Sequence, residues 1–111
     1  MNCRRGDIVI CAPPGEFGKP RPAVVVQSDL FNETHTSVTL CPLTSHRVDA
    51  PLFRVTLKPT AANGLKRESQ AMADKIVTLR AERIGAVVGH LSETELRLVE
   101  EALMFWLGLK G

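Results

Sequence analysis

The stretch Gly15–Asn32, GEFGKPRPAVVVQSDLFN, decides how the chain is read. Arg21 stands between Pro20 and Pro22, and Ala23, Val24, Val25 and Val26 follow at once. The apolar run has no polar alternation, which predicts a strand over Pro22–Ser28 covered on both faces. Each proline sets its own φ and restricts the residue before it, so Arg21 is held extended at the strand's mouth. Proline is tolerated at that place in a strand. The result is a permanently charged planar guanidinium on a stiff support, suited to gripping a phosphate through two hydrogen bonds. The same placement also suits a structural arginine paired with Asp7 or Glu16, and the pattern leaves both readings open.

Around this stretch the chain reads as short strands and turns. Asp7–Cys11 is an apolar run stopped by Pro13-Pro14-Gly15. Ser37–Cys41 and Phe53–Leu57 alternate, the latter with Phe53, Val55 and Leu57 on one face and Arg54 and Thr56 on the other. Asn63-Gly64 predicts a turn. Ser69–Asp74 and Ile76–Leu79 read as a strand broken near Asp74-Lys75, Arg80–Ile84 as a helical turn, and Ala86–His90 as a last strand. The tail differs in period. Ser92 and Glu95 form a capping box, with Leu91 and Leu96 placed as a hydrophobic staple. Leu96, Val99, Leu103, Trp106 and Leu107 then recur at helical spacing, and Gly108 is placed to end the helix. That apolar face is wider than one sheet requires, which predicts a cover over one end of the fold and a second role in meeting a partner. The expected fold is mainly β: a small, strongly bent antiparallel barrel with a C-terminal helix.

Composition bounds the function. The 111 residues predict one domain spanning 1–111, large enough to build a core without disulfides or metal. No apolar run approaches the ~18 residues that span a bilayer. The N-terminal MNCRRGDIVIC lacks a signal-peptide core, so the expected compartment is the cytoplasm, with no membrane association. Cys3, Cys11 and Cys41 are odd in number and form no CxxC, which predicts reduced core thiols. His35, His46 and His90 have no ligand spacing, so no metal and no cofactor is expected. The net charge of +2 conceals an asymmetry: residues 1–90 hold twelve Lys and Arg against eight Asp and Glu, while the rest of the chain is acidic. Such a body permits contact with nucleic acid and equally suits an ordinary solvated surface. A second segment, CPLTSHR (Cys41–Arg47), offers Thr44, Ser45, His46 and Arg47 as the chain leaves a strand. Its hydroxyls are donors for phosphate oxygens, or caps of a local turn.

RRGDIVI, PRPAVVVQSDLFN, LCPLTS and SQAMADKIVTL, in this order and spacing, resemble the MazF/PemK/Kid family of toxin endoribonucleases, the mRNA interferases. The resemblance covers the chain from Arg5 to the C-terminal helix, and RPAVVV followed by PLTS, with 23 residues from Arg21 to Thr44, is its most specific part. It implies an SH3-like barrel, a homodimer, metal-independent cleavage of single-stranded RNA, and a cognate antitoxin that blocks the RNA groove. Carried across, Arg21 and Thr44 match the family's catalytic arginine and threonine. Glu16 matches an acidic loop residue, and Asp74 falls on the acid of the later D-x-I-x-T segment.

In that chemistry the ribose 2′-OH attacks the adjacent phosphorus, giving a 2′,3′-cyclic phosphate and a 5′-OH. Arg21 suits charge stabilisation, since its pKa above ~12 makes it a poor base. Thr44, helped by Ser45, would donate to a phosphoryl oxygen. Glu16 is the preferred base, and Asp74 is the alternative base or the residue that orients Arg21. Lys19, Arg47 and either Arg54 or Lys75 are expected on backbone phosphates, with His46 close enough to contribute and Phe17 placed to stack an unpaired base. Two other functions stay open on the same scaffold. Gly15 and Met72 stand where some members carry histidine and arginine, which suits a catalytically silent module that pairs with a small acidic partner. The apolar LMFWLGL end suits a toxin that docks on DNA gyrase.

Overall fold

A computed structural model describes residues 2–12 and 19–109. The first strand, β1, covers Asp7–Cys11 and pairs antiparallel with β2, Arg21–Val25, setting Cys11 against Arg21 and Ile10 against Pro22. The third strand, β3, runs Ser37–Thr44; β4 is Arg54–Leu57, β5 Ser69–Met72, β6 Val77–Arg80 and β7 Ile84–His90. Sheet order is β4-β5-β3-β2-β1-β7, with β6 on β3, and the pairings are antiparallel. Helix α2, Glu93–Leu107, closes the chain. The family fold expected from the sequence, mainly β with a C-terminal helix, is the fold observed.

Burial of β2 on both faces, read from the unbroken apolar run, is borne out in two separate core clusters. Ile8, Val24, Cys41 and Leu43 meet Val99 and Ala102 of α2 on one side. Val9, Ala23, Val25, Val38 and Leu40 meet Leu79 on the other. Successive residues of β1, β2 and β3 thus feed opposite clusters, as side chains on a pleated strand must.

The two largest shifts of boundary from the sequence reading each have a local reason. Past Val25 the regular ladder ends: Val26 N and Gln27 N both donate to Thr39 O, at 3.1 and 3.3 Å, and the Gln27 side chain joins the pairing. Its Nε2 donates to Ser37 O (3.2 Å) and its Oε1 accepts from Thr39 N (3.1 Å). Ser28 then accepts from Leu30 N and caps a single helical turn, α1 (Asp29–Asn32), that the strand pattern hid. The third strand runs three residues past Cys41. Pro42, which has no N–H to give, falls between the last partner on β6, at Leu40, and the first on β5, at Leu43. One edge of β3 is therefore shared between two strands, and there the sheet turns. The break after Met72 is a 3₁₀ turn over Ala73–Lys75, and a second covers Ala81–Arg83.

The helix signals hold. Ser92 and Glu95 form both bonds of the capping box, and Gly108 ends the helix at φ 71°. Leu91 is buried in the α2-facing cluster and Leu96 packs against that cluster. Leu98, Phe105, Trp106 and Leu107 remain exposed, which accounts for the excess width of the apolar face. Trp106 retains one ring contact, with Phe53 at 5.2 Å between centroids. No helix among the described residues is long and apolar enough to cross a membrane.

Candidate active site

The register of β2 on β3 pairs Ala23 with Pro42 and Val24 with Cys41. Arg21 and Thr44 are the end residues of the two strands, each two residues beyond the Ala23–Pro42 pair. Both border one open cleft of about 520 Å³, together with Pro22 and Ser45. Arg21 is half-buried, anchored through its backbone beside Cys11 of β1. Thr44, the last residue of β3, pairs with Gln70 of β5. Its hydroxyl accepts from His46 N at 3.1 Å, and acting there as an acceptor it keeps its own hydrogen for another partner.

The loop after Thr44 is held by two residues from the neighbouring segment. The nearly buried Gln70 side chain clamps Val48, accepting from its N–H at 3.0 Å and donating to its carbonyl at 2.9 Å. Arg47 pairs with Glu68 at 2.6 Å. Both residues of that pair lie toward solvent, so its worth to stability is small, but it ties the Thr44 loop to the segment leading into β5.

The rest of the lining was not found from the sequence. It includes Gly64, Leu65, Lys66 and Arg67, with Ser69 where β5 begins. Asn63, fully buried, builds the turn beneath it. Its Oδ1 accepts from Thr60 N and Leu65 N, and its Nδ2 donates to Lys58 O at 2.9 Å and to Glu95 of α2 at 3.3 Å. Gly64, at φ 67°, passes so close to β7 that a Cβ would lie 2.2 Å from Val88 O. Glycine is the residue that permits this approach. The turn was legible in Asn63-Gly64; its contact with β7, far along the chain, was not. Ile10, Leu43, Leu65 and Val88 give the cleft an apolar floor. Arg21, Lys66 and Arg67 are its charged lining residues, and no carboxylate is among the described ones.

The remaining expected site residues fall elsewhere. Asp74 accepts two hydrogen bonds from Arg54, at 2.8 and 3.1 Å, and the two side chains are 15 and 10 % exposed. These bonds hold the Asp74 carboxyl below its ordinary value, against the opposing effect of burial. The guanidinium it meets is thus that of Arg54, and neither residue lines the Arg21 cleft. Lys19, His46 and Lys75 are exposed and lie outside that lining. Glu16 and Phe17 lie outside the described residues. All three cysteines are buried and free. Burial pushes the Cys41 thiol up to about 12, with the Asp74 charge a lesser contribution in the same direction.

The arrangement is a cationic cleft with hydroxyl donors and an apolar floor, able to hold an anion that also carries a flat apolar group. Residues 4–107 match the family of PemK-like, MazF-like toxins of type II toxin–antitoxin systems. The chain is 42% identical over 109 residues to a probable endoribonuclease MazF of Mycolicibacterium smegmatis, covering 97% of this chain and 99% of that protein. It is 35% identical to endoribonuclease MazF9 of Mycobacterium tuberculosis, over 96% of this chain and 97% of the relative. Among solved structures, MazF from Deinococcus radiodurans superposes with a TM-score of 0.80 at 27% identity, over 96% of this chain and 97% of that one. A mycobacterial endoribonuclease in complex with its cognate antitoxin superposes with a TM-score of 0.83 at 24% identity, over 98% of each chain, which shows a shared fold.

Proposed function

The chain belongs to the family of PemK-like, MazF-like toxins of type II toxin–antitoxin systems, and from that premise we infer that it is an endoribonuclease cutting single-stranded RNA at the Arg21–Thr44 cleft. The observation that carries the assignment is the sharing of one cleft by Arg21 and Thr44, which stand at the adjoining ends of two paired strands.

In this mechanism the 2′-oxygen attacks phosphorus and the bond from phosphorus to the 5′-oxygen breaks. The 2′ proton passes to the base, and the departing 5′-oxygen takes up a proton. Negative charge grows on the two non-bridging oxygens during the attack. Arg21 answers it with a preorganised cation, and Thr44 with the hydroxyl hydrogen left over after His46 N–H is accepted. Both donors act without metal. Glu16, five residues before Arg21 in the sequence, is the assigned base. Asp74 suits that role less well, because a carboxylate held low by Arg54 is a weaker proton acceptor. Ser45 supports Thr44. Lys19 contributes charge along the strand's approach, with Arg47 a lesser contributor because Glu68 already shares its charge; His46 adds a polar contact, and Phe17 is the aromatic for stacking a base.

A Deinococcus MazF of the same fold has been solved with MazE, and the same kind of partner is proposed here: a small antitoxin that covers the cleft of a homodimer. The exposed Leu98, Phe105, Trp106 and Leu107 of α2 supply apolar surface for protein contact. The working compartment is the cytoplasm, where such RNA is found.

The test mixes purified protein with long single-stranded RNA in EDTA and maps the fragment ends. Breaks carrying 2′,3′-cyclic phosphate and 5′-OH ends, lost in Arg21→Ala and Thr44→Ala, are expected. Intact RNA at high protein concentration would overturn the assignment in favour of a silent binding module.

A further inference from the structure

The reaction above leaves two residues of the cleft lining, Lys66 and Arg67, without a role. Both are exposed, and no carboxylate among the described residues pairs with either. Their neighbour Arg47, by contrast, is taken up by Glu68. The segment that carries them is firmly built. Asn63 fixes the turn before it, Gly64 is wedged against Val88 O, and Arg67 O accepts from Ser69 Oγ at 2.9 Å. Leu65 packs against the α2-facing core. Two cations on a braced turn therefore line the same cleft as Arg21 and Thr44, together with the apolar Ile10, Leu43, Leu65 and Val88.

Lys66 and Arg67, adjacent in the chain and with no carboxylate among the described residues paired to either, repel one another, and the free protein bears that cost. A ligand that relieves it must carry more than one anion, and the apolar lining suits something flat between them. Resting on the ribonuclease reading, the geometry points to Lys66 and Arg67 as positioning residues that hold the backbone phosphates next to the scissile one, while the intervening base lies on the floor. These phosphates carry the same charge in ground and transition states. The pair thus binds both equally and acts on KM rather than kcat. It reads no sequence, since phosphate contacts carry none.

The test uses the full chain, a Lys66→Gln/Arg67→Gln variant and, as a control of equal charge type, Arg80→Gln. Arg80 pairs with Ser37, at the far end of β3 from Thr44. Seven residues of strand separate those ends, about 23 Å. The double variant should raise KM for single-stranded RNA roughly tenfold or more, with kcat unchanged. Binding to an uncuttable 2′-O-methyl oligonucleotide should weaken, and the slope of log affinity against log salt should shrink by about 1.4, near 0.7 per lost contact. Arg80→Gln should change neither. An unchanged slope and KM in the double variant, a fall in kcat at constant KM, or an equal effect from Arg80→Gln would overturn the proposal. Wild-type protein that cuts no RNA, while the slope still shrinks in the double variant, would sink the ribonuclease reading and leave the phosphate contacts standing.

Discussion

Two charged regions lie on the same bent sheet and have opposite characters. Beside α2, Arg54 and Asp74 exchange two hydrogen bonds and are almost withdrawn from solvent. In the cleft, Arg21, Lys66 and Arg67 border open space, with no carboxylate among the described lining residues. The first region is neutral and closed; the second is positive and shaped to receive. Both are built from arginines near strand ends, so residue type does not separate them. What separates them is enclosure: the Arg54–Asp74 pair is closed on itself, whereas Lys66 and Arg67 have no carboxylate partner among the described residues and stand at an open cleft. A saturated pair braces the fold, whereas two adjacent cations without one give up stability that a bound anion restores.

The largest effect expected is on the open side. Arg21→Ala and Thr44→Ala should each reduce RNA cutting on the order of 10²–10³-fold or more, while thermal melting stays within a few degrees of wild type. An Arg21→Ala protein that unfolds would move Arg21 into the same class as Arg54, and one that cuts normally would remove it from the site.

On the closed side the same substitution should do the reverse. Arg54→Ala strands a nearly buried carboxylate, costing about 3 kcal/mol, seen as a melting temperature lower by on the order of 10 °C. Cutting per folded molecule should hold. The pH dependence follows from the depressed Asp74 pKa. Its contribution is present above the ordinary carboxylate value of 3.8 and is lost as pH falls through the lower native value. The gap in melting temperature between wild type and Arg54→Ala should therefore narrow on acidification below about pH 4. A gap independent of pH would mean that Arg54 acts through packing alone.

Gly64→Ala links the two regions. It forces a side chain into a left-handed backbone and against Val88 O, for a loss of about 1–3 kcal/mol in chemical denaturation. KM should rise as well, because the displaced turn carries Lys66 and Arg67. A variant that melts normally and cuts with wild-type KM would show that the turn is not held as described. The smallest effect is on the thiols. Iodoacetamide at pH 8 should leave Cys41 unmodified in the native protein and label it after unfolding, since burial lifts its pKa to about 12. Labelling of Cys41 without unfolding would show that the closed side opens.

Legibility in the sequence followed the range of the interaction. The unbroken Ala23–Val26 run reported two-faced burial because periodicity is a local property, and the capping box was complete in four consecutive residues. The end of β2 was misjudged because Gln27 pairs through its side chain, which no periodicity records. Asp74, expected as an alternative base or as the residue that orients Arg21, accepts two hydrogen bonds from Arg54. From sequence, every guanidinium is an equal candidate for a carboxylate, and register and sheet curvature make the choice. Lys66 and Arg67 carry no local signal, and their place in the cleft follows from the turn that seats Gly64 against β7.

What the amino-acid sequence determined by itself was therefore the strands and the C-terminal helix, the family, and the stiffened presentation of Arg21. Proline geometry, alternation and capping act within a few residues and need no partner. Which charges met, and which were left facing an open cleft, was decided only when β3 shared one edge between β6 and β5 and the turn at Asn63-Gly64 closed on β7. Electrostatic pairing depends on distances of a few ångströms between residues far apart in the chain, and those distances exist only in the folded sheet.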